Sequence, residues 1–349
     1  MEVEKTLHEV GEGVFAYTQL PGSWGWSNAG LIVDGDQSLL VDTLFDRRIT
    51  GEMLAEMRRA APAARRIGTV VNTHGNGDHC YGNGEIPGAE IIGSRGCVED
   101  LASAPPRRNA TLMRAARVVE ALGGVGRLAG RVCDSLGLKT VAWLVEATPL
   151  ALPLFGTFEF SGNDLVLPTR TFVDRLSLTV GDRRVELMEL GPAHTLGDTV
   201  VYLPDERVLF TGDLLFKDAH PLIWQGPVSN WIRACHTLLE LEIETVVPGH
   251  GPLTDLSGIR ETLGYLEWLT DETRKCYEAG LTVEEAAREI SHEAYRAWLD
   301  AERVYVNVHS LYREFAGESE LPEILELFAG MARLMREDAR LAPHSDSSQ

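Results

Sequence analysis

The sequence predicts an α+β protein, because strand-like and helix-like segments fall into separate blocks. Short β-rich runs fill the first third of the chain and resume from Leu167. Helical periodicity dominates from about Cys97 to Pro168 and again after Thr254. We therefore expect one domain at residues 1–255, with a helical insertion at about 97–168, and a C-terminal helical extension at residues 256–349.

The first block reads as a meander of strands followed by alternating strands and helices. The runs GVFAYTQL, AGLIVDG and QSLLVDT are rich in strand-forming residues and are bounded by Gly, Pro or Asp. The next segment, RITGEMLAEMRRAAP, repeats Leu and Met at helical spacing, which predicts a helix. The runs IGTVVNTH and AEIIGS predict two further strands.

The insertion begins with a strongly helical pattern. The segment ATLMRAARVVEALGGVGRLAGRVCDSLG has helical periodicity, interrupted by Gly123, Gly124 and Gly126. The following stretch, ATPLALPLFGTFEFSGND, is expected to be loop-like. Insertions over a scaffold often build pocket walls or lids, and a packing or oligomerisation element is the equally weighted alternative.

The second strand block and the extension carry clear local signals. RTFVDRLSLTVGDRRVELMELG contains two alternating runs joined at Gly-Asp, which predicts a hairpin. TVVYLPDERVLFTGD repeats this pattern, NWIRACHTLLELE is helical, and TVVPGHG is a short strand with a turn. Gly280 is a helix-ending signal, and Thr282 with Glu285 forms a capping box. The final LAPHSDSSQ is expected to be a frayed tail.

Composition excludes several function classes. The chain has 349 residues and a formal net charge of −20, which disfavours nucleic acid as a partner. Five scattered cysteines without a CxxC pair argue against a disulfide scaffold and for a reducing compartment. No stretch is long and apolar enough to span a membrane, and the N-terminus has no signal-peptide core. We expect a cytoplasmic protein with no membrane partner.

Ionisable side chains follow five separate apolar runs. Because strand ends can meet at one rim of a sheet, these side chains are expected to converge. Histidine and carboxylate are the ligands that zinc and similar divalent metals prefer. The pattern therefore predicts a metal site, built from Asp42 after SLLV, His74, Asp78 and His79 after IGTVV, His194 after VELMELGPA, Asp213 after RVLFTG, and His250 after TVVPG.

In this order the segments VDT, THGNGDH, GPAHTLGD, FTGD and VPGHG resemble the motifs of the metallo-β-lactamase superfamily. The resemblance covers about residues 10 to 255, and the set is highly specific. It implies a four-layer αββα sandwich with metals at one edge of the paired sheets. The C-terminal helices lie outside the shared core, so the resemblance says little about them.

One position departs from the family pattern, because Asn76 stands where the HxHxDH motif has its second histidine. Carried over residue by residue, one metal position would use His74 and His194 with a bridging Asp213, and would lack its third imidazole. The other would use Asp78, His79 and His250 with Asp213, and is complete. Asn76 would be a weak ligand or would hydrogen-bond a metal-bound water, and Asp42 would orient a ligand. We expect one firmly bound Zn²⁺ and a second that is weak, different or absent.

Two chemistries and one silent role are consistent with these residues. The resemblance favours a hydrolase in which a metal-bound hydroxide, oriented by the catalytic Asp78, cleaves an ester, thioester, lactone or related bond. His74, His194 and Asp213 also form a two-histidine, one-carboxylate set that suits Fe²⁺, as in the family's sulfur dioxygenases. A catalytically silent subunit of a complex is the third interpretation.

Candidate pocket residues lie in two further segments. The Gly-rich loop GSWGWSNAG presents Trp24 and Trp26, and KDAHPLIWQGPVSNW contains His220 and Trp224. These side chains are candidates for an apolar substrate pocket, and the tryptophans favour a small aromatic or acyl substrate. The apolar faces of the C-terminal helices favour a homo- or hetero-oligomer.

Overall fold

The computed structural model of the chain describes residues 3–290, 295 and 297–341. Of the predicted frayed tail, residues 342–349 lie outside the described part. The first β-sheet begins as an antiparallel meander and continues with parallel strands. Its seven strands are, in spatial order, β1 (Glu4–Gly11), β2 (Val14–Leu20), β3 (Ala29–Asp34), β4 (Gln37–Val41), β5 (Thr69–Val71), β6 (Glu90–Ser94) and β7 (Arg170–Phe172).

The second sheet has five strands and is antiparallel except for the parallel pair at one edge, which comes first in the order below. In spatial order it runs β12 (Thr245–His250), β11 (Val208–Phe216), β10 (Thr199–Leu203), β9 (Arg183–Glu189) and β8 (Arg175–Val180). The predicted hairpin at Gly-Asp joins β8 to β9, with Val180 opposite Arg183. Gly181 there has φ +59°, a left-handed conformation that glycine adopts without steric cost.

Three apolar clusters hold the layers together. Helix α1 (Arg47–Ala60) places Ile49, Met53 and Met57 on the outer face of the first sheet. The two sheets face each other through residues such as Ile32 and Phe210. Helices α6 (Val228–Leu239) and α7 (Leu256–Glu278) cover the outer face of the second sheet. This confirms the predicted α+β class and the αββα sandwich.

The insertion is more helical than its sequence predicts. It contains α3 (Arg95–Ser103), α4 (Pro106–Ser135) and α5 (Lys139–Phe155). The predicted interruption of α4 is present at Gly123, whose backbone is non-helical with φ +51°. The loop expected from ATPLALPLF is wrong, since α5 continues through Pro149 and Pro153. Both prolines lie on the exposed side of α5, while its opposite face is buried against α4 and the C-terminal helix. Packing of that face outweighs the hydrogen bonds that the prolines remove.

The C-terminal extension packs on the second sheet and shares its outer core. It comprises α7, α8 (Val283–Glu289), α9 (Val304–Ala316) and α10 (Ile324–Leu341). The predicted capping box is present, with Glu285 accepting from the Thr282 backbone at 2.8 Å. Within the described residues, no helix is both long and apolar enough to cross a membrane. The division of the chain at residue 255 stays a prediction.

Candidate metal centre

The motif segments converge because they lie at the same edge of the two sheets, either after a buried strand or, for Asp213 and His250, within β11 and at the end of β12. The loop after β5 carries His74 and leads into the one-turn helix α2 (Gly77–Cys80), which carries Asp78 and His79. Its glycines are required by close packing. A Cβ at position 75 would lie 2.5 Å from the Asp100 Cβ, and one at position 77 would lie 2.5 Å from the Tyr81 ring. The sequence HGNGDH therefore folds tightly enough to direct its polar side chains inward.

Asp213, in β11, lies among four buried histidines. Its Oδ1 is 3.1 Å from His79 Nε2. Its Oδ2 is 3.3 Å from His194 Nε2, 3.5 Å from His250 Nε2 and 3.7 Å from His74 Nε2. The structure thus brings residues from β5, β9, β11 and β12 around one carboxylate, as the sequence pattern requires.

Each of the four histidines is oriented through its other ring nitrogen. Every Nδ1 has an oxygen partner, so each Nε2 is directed to the centre of the site. The partners are the Thr73 hydroxyl for His74 at 3.1 Å, Asp42 Oδ2 for His79 at 2.9 Å, the Leu222 carbonyl for His194 at 2.5 Å, and the Gly22 carbonyl for His250 at 3.1 Å. This arrangement is typical of metal-binding histidines.

Unpaired buried atoms show that these residues fit a divalent cation. His74 Nε2, His79 Nε2 and Asp213 Oδ1 are buried and have no hydrogen-bond partner. Buried polar atoms without partners are rare, and a metal ion would satisfy all three together. Two overlapping groups have donor atoms within 4.8 Å of one another, namely His74, His79 and Asp213, and Asp78, His79 and His250.

Burial and neighbouring charges move the pKa values of the histidines in opposite directions. Burial, reinforced by His79, holds the pKa of His74 well below its usual value. Burial also opposes protonation of His79, but Asp213 and Asp42 on either side raise its pKa well above the usual value. For His250, burial is outweighed by Asp213 and Asp78, which raise the pKa to about 9. Without metal, protons on His79 and His250 therefore balance the buried carboxylates.

Asp42 lies behind the metal-facing atoms and supports them. It has φ +61°, and its carboxylate accepts from the Thr73 backbone and the Thr73 hydroxyl, both at 2.7 Å. The same carboxylate meets His79 Nδ1. Asp42 therefore holds two neighbouring residues of the HGNGDH loop in place. This geometry supports the predicted orienting role.

Asn76, the position that departs from the family pattern, points into the centre. Its Nδ2 lies 2.8 Å from His194 Nε2. Since His194 Nδ1 donates to the Leu222 carbonyl, Nε2 is the accepting nitrogen, and the Asn76 amide donates to it. The amide thus occupies the lone pair that His194 would use to bind a metal. Sequence reasoning located Asn76 but did not anticipate this hydrogen bond.

The model of the metallo-beta-lactamase superfamily matches residues 22–250, about two thirds of the chain. The chain belongs to this superfamily. The matched range begins at the Gly-rich loop and ends at His250, and so includes every predicted metal ligand.

Individual relatives match only parts of this family member. The human acyl-coenzyme A thioesterase MBLAC2 is 29% identical over 120 residues, which is 32% of this chain and 42% of the thioesterase. The 2,4-dinitroanisole O-demethylase subunit alpha of Nocardioides sp. is 34% identical over 91 residues, 25% of this chain and 28% of that protein. The chain thus spans less than half the length of these relatives.

A solved structure with similar architecture is the inverting sec-alkylsulfatase Pisa1 of Pseudomonas sp.. It superposes with a TM-score of 0.62 at 17% sequence identity, over 90% of this chain and 50% of the alkylsulfatase. At this identity the likeness shows the fold alone. The superposed part covers more of the chain than residues 22–250, so it includes part of the C-terminal helices.

A cavity of about 520 Å³ opens onto the metal centre of this superfamily member. Asn76, Asp78, Asp213 and His250 form one part of its wall. The rest comes from the insertion helices, the Gly-rich loop and the start of α10. The structure therefore places the pocket between the insertion and the extension, which are the parts of the chain outside the shared family motifs.

Two of the four predicted pocket residues line this cavity, Trp24 and Trp224. Trp26 and His220 do not. Trp26 packs on Phe158 at a ring distance of 4.8 Å, because the tight turn from Ser23 to Trp26 directs it away from Trp24. His220 is fully buried, with Nδ1 3.1 Å from the Tyr265 hydroxyl in the core under the C-terminal helices.

The C-terminal extension anchors the Gly-rich loop through three consecutive contacts that sequence reasoning missed. Ser23 donates to Asp300 at 2.6 Å, and the Trp24 indole donates to Glu302 at 2.8 Å. The Arg303 guanidinium lies 4.4 Å from the Trp24 ring centre and 5.0 Å from that of Phe216. Phe216 in turn stacks on His250 at 5.2 Å. The segment DAERV has no motif, so only the fold identifies this role.

Proposed function

We propose that the chain is a metal-dependent hydrolase that holds one zinc ion on Asp78, His79, His250 and Asp213. The observation that carries this proposal is the group of Asp78, His79 and His250, whose donor atoms lie within 4.8 Å of one another beside Asp213 and a substrate-sized cavity. The substrates proposed are small molecules with an ester, thioester, lactone or related bond. Among partial matches, the acyl-coenzyme A thioesterase and a hydroxyacylglutathione hydrolase of Brucella anthropi support this choice.

The protein residues around the metal have distinct roles in this hydrolysis. Bound there, zinc would lower the pKa of water from 15.7 to about 7, which supplies a nucleophile at neutral pH. Asp78 lines the cavity and is 3.4 Å from His250 Nε2, so its carboxylate is placed to orient the attacking water. Asp42 and the Gly22 carbonyl hold the imidazoles of His79 and His250 in the orientation that exposes Nε2.

The hydrogen bond from Asn76 to His194 supports a count of one metal. A second ion on His74 and His194 would have to displace the amide from His194 Nε2 and would gain no third imidazole. The position formed by Asp78, His79 and His250 has its full set of family ligands, with donor atoms within 4.8 Å of one another.

The same bond weighs against the iron-dependent oxygenase. That alternative needs the lone pair of His194 Nε2, which the Asn76 amide occupies. The silent-subunit interpretation is disfavoured because all six predicted metal ligands converge beside an accessible cavity, each with a ligand atom within 3.7 Å of another. Cytoplasmic localisation and oligomer formation stay predictions.

Metal analysis with matched activity assays tests this proposal. The purified chain should contain about one zinc, lose hydrolysis of an acyl thioester on chelation, and recover it when zinc is restored. An Asp78→Asn variant, which retains the size of the side chain but not its charge, should lose the activity. If the native protein contains iron and consumes oxygen, the hydrolase proposal is refuted in favour of the iron-dependent oxygenase. A chain that takes up no metal would refute both functions.

A further inference from the structure

Three helices give the cavity a large apolar wall away from the metal, although Arg108, Gln225 and Glu323 also line it. Helix α4 contributes Leu112 and Met113, α5 contributes Ala147 and Ala151, and α10 contributes Ile324 and Phe328. The region between these helices and the Gly-rich loop is called here the side chamber. It is built by the insertion and the extension together, so neither element forms it alone.

Aromatic rings line the side chamber where it approaches the metal centre. Trp24 lies 5.5 Å from Phe328, 5.9 Å from Phe155 and 6.2 Å from Trp224, measured between ring centres. These rings come from four separate segments of the chain. An aromatic cluster of this kind presents a large apolar surface with little conformational freedom.

Several of the polar groups in these walls have partners within the protein. The Tyr81 hydroxyl donates to the Ala104 carbonyl at 2.6 Å, and the Thr148 hydroxyl donates to the Leu144 carbonyl at 2.7 Å. The Trp24 indole donates to Glu302. These donors are therefore not available to a ligand. A polar substituent held against the apolar helix faces, away from Arg108, Gln225 and Glu323, would lose its hydration without replacement, which costs free energy.

We propose that the side chamber binds the hydrocarbon arm of the substrate, an alkyl chain or an aromatic ring, while the scissile bond lies at Asp78 and His250. This proposal rests on the proposed hydrolase function and names its substrate class. The cavity size is within the range of pockets that enclose small ligands. Substrates with a short or strongly polar arm would leave the aromatic walls in contact with water and would bind weakly.

The first test measures binding without turnover. Titration calorimetry with linear carboxylates from butanoate to dodecanoate is carried out on the zinc-loaded full chain. Affinity should increase about fourfold per added methylene until the chamber is full. The heat-capacity change of binding should become more negative over the same range, since apolar surface is buried. Equal affinity across the series would overturn the proposal.

Two variants locate the binding to the side chamber. Ala151→Phe fills the space between α5 and α10 and should reduce decanoate affinity at least tenfold. Ala121→Phe is the matched control, because Ala121 is exposed on α4 and does not line the cavity. Phe328→Ala enlarges the chamber and should shift the optimum to longer chains. Zinc content and circular dichroism verify folding of each variant. An unchanged optimum in both chamber variants would refute this location.

Two ester series distinguish which side of the bond carries the arm. One varies the acyl group of p-nitrophenyl esters, and the other varies the alcohol of acetate esters. A rise of kcat/KM with arm length in either series supports the proposal and identifies the side. Hydrolysis that is independent of arm length in both overturns it and leaves the hydrolase function intact. Chain-length-dependent binding without hydrolysis of any ester would instead refute the proposed function and leave the side chamber assigned.

Discussion

Asn76→His should convert the centre from one metal to two. In the native chain the Asn76 amide donates to His194 Nε2 at 2.8 Å, and the pair His74 and His194 has no third imidazole. The substitution removes the amide and adds a ligand at the position where the family motif has one. The side chain at position 76 already points at His194, so the introduced imidazole starts from the appropriate direction.

The magnitude follows from the two contributions. Structural zinc sites with four ligands bind the ion with a free energy of about 10–16 kcal/mol, which is about 3 kcal/mol per ligand. In the variant the second ion no longer has to break the amide–imidazole hydrogen bond, which adds about 1 kcal/mol to its binding free energy. The second ion should therefore bind about 1,000-fold more tightly in the variant than in the native chain.

Elemental analysis and competitive titration with a zinc chelator measure this change. The native chain should hold about one zinc and the variant about two. Asn76→Ala, which removes the amide without adding a ligand, should remain at one. A native chain that binds two zinc ions with equal affinity, or a variant that stays at one under saturating zinc, would refute the reasoning about His194.

Four further outcomes are expected. Asp42→Ala should weaken zinc binding about 10–100-fold, because His79 loses the carboxylate that orients it. Asp42→Asn should lose less zinc affinity, because asparagine tolerates the left-handed backbone at this position. Competitive titration with a zinc chelator measures the affinity of each variant. Gly249→Ala should abolish tight zinc binding, because its Cβ would collide with the Asp213 carboxylate, and equal zinc content would contradict this. Zinc binding at pH 7 should release protons, because His250 has a pKa of about 9 in the metal-free site, and zinc affinity should increase as the pH rises towards that value. Calorimetry in buffers of different ionisation enthalpy counts the released protons. A count of zero would refute a protonated His250 in the metal-free site. Chelation of zinc should lower the midpoint of thermal unfolding by several degrees, because zinc at 1,000 times its dissociation constant stabilises the folded state by about 4 kcal/mol. Calorimetry measures the midpoint, and an unchanged value would mean that zinc is not bound.

Local patterns in the chain were enough to predict most of the strands and helices and to locate the candidate metal ligands. Alternating runs separated by turn residues predicted the β8–β9 hairpin, and Thr282 with Glu285 predicted the capping box. These signals are local, because they depend on residues within a few positions of one another. The convergence of His74, Asp213 and His250 was also foreseeable, since each follows an apolar run of sequence in the order typical of the superfamily.

Helix α5 shows where local reasoning was insufficient. Pro149 and Pro153 predict an interruption, but the folded chain keeps the helix because its buried face packs on α4 and α10. The same limitation applies to the Gly-rich loop, where sequence offered Trp24 and Trp26 as equivalent candidates. Only the turn between them decides that Trp24 faces the cavity and Trp26 faces Phe158.

The residue types along the chain thus determined that a metal-binding sandwich would form, since hydrophobic periodicity and ligand order are properties of the linear sequence. Tertiary structure alone decided which side chains contact the candidate metal ligands and the cavity. The Asn76 contact joins residues 118 positions apart, and the Trp24 bond to Glu302 joins residues 278 positions apart. Contacts at such separation depend on how whole layers pack, and no local pattern encodes them.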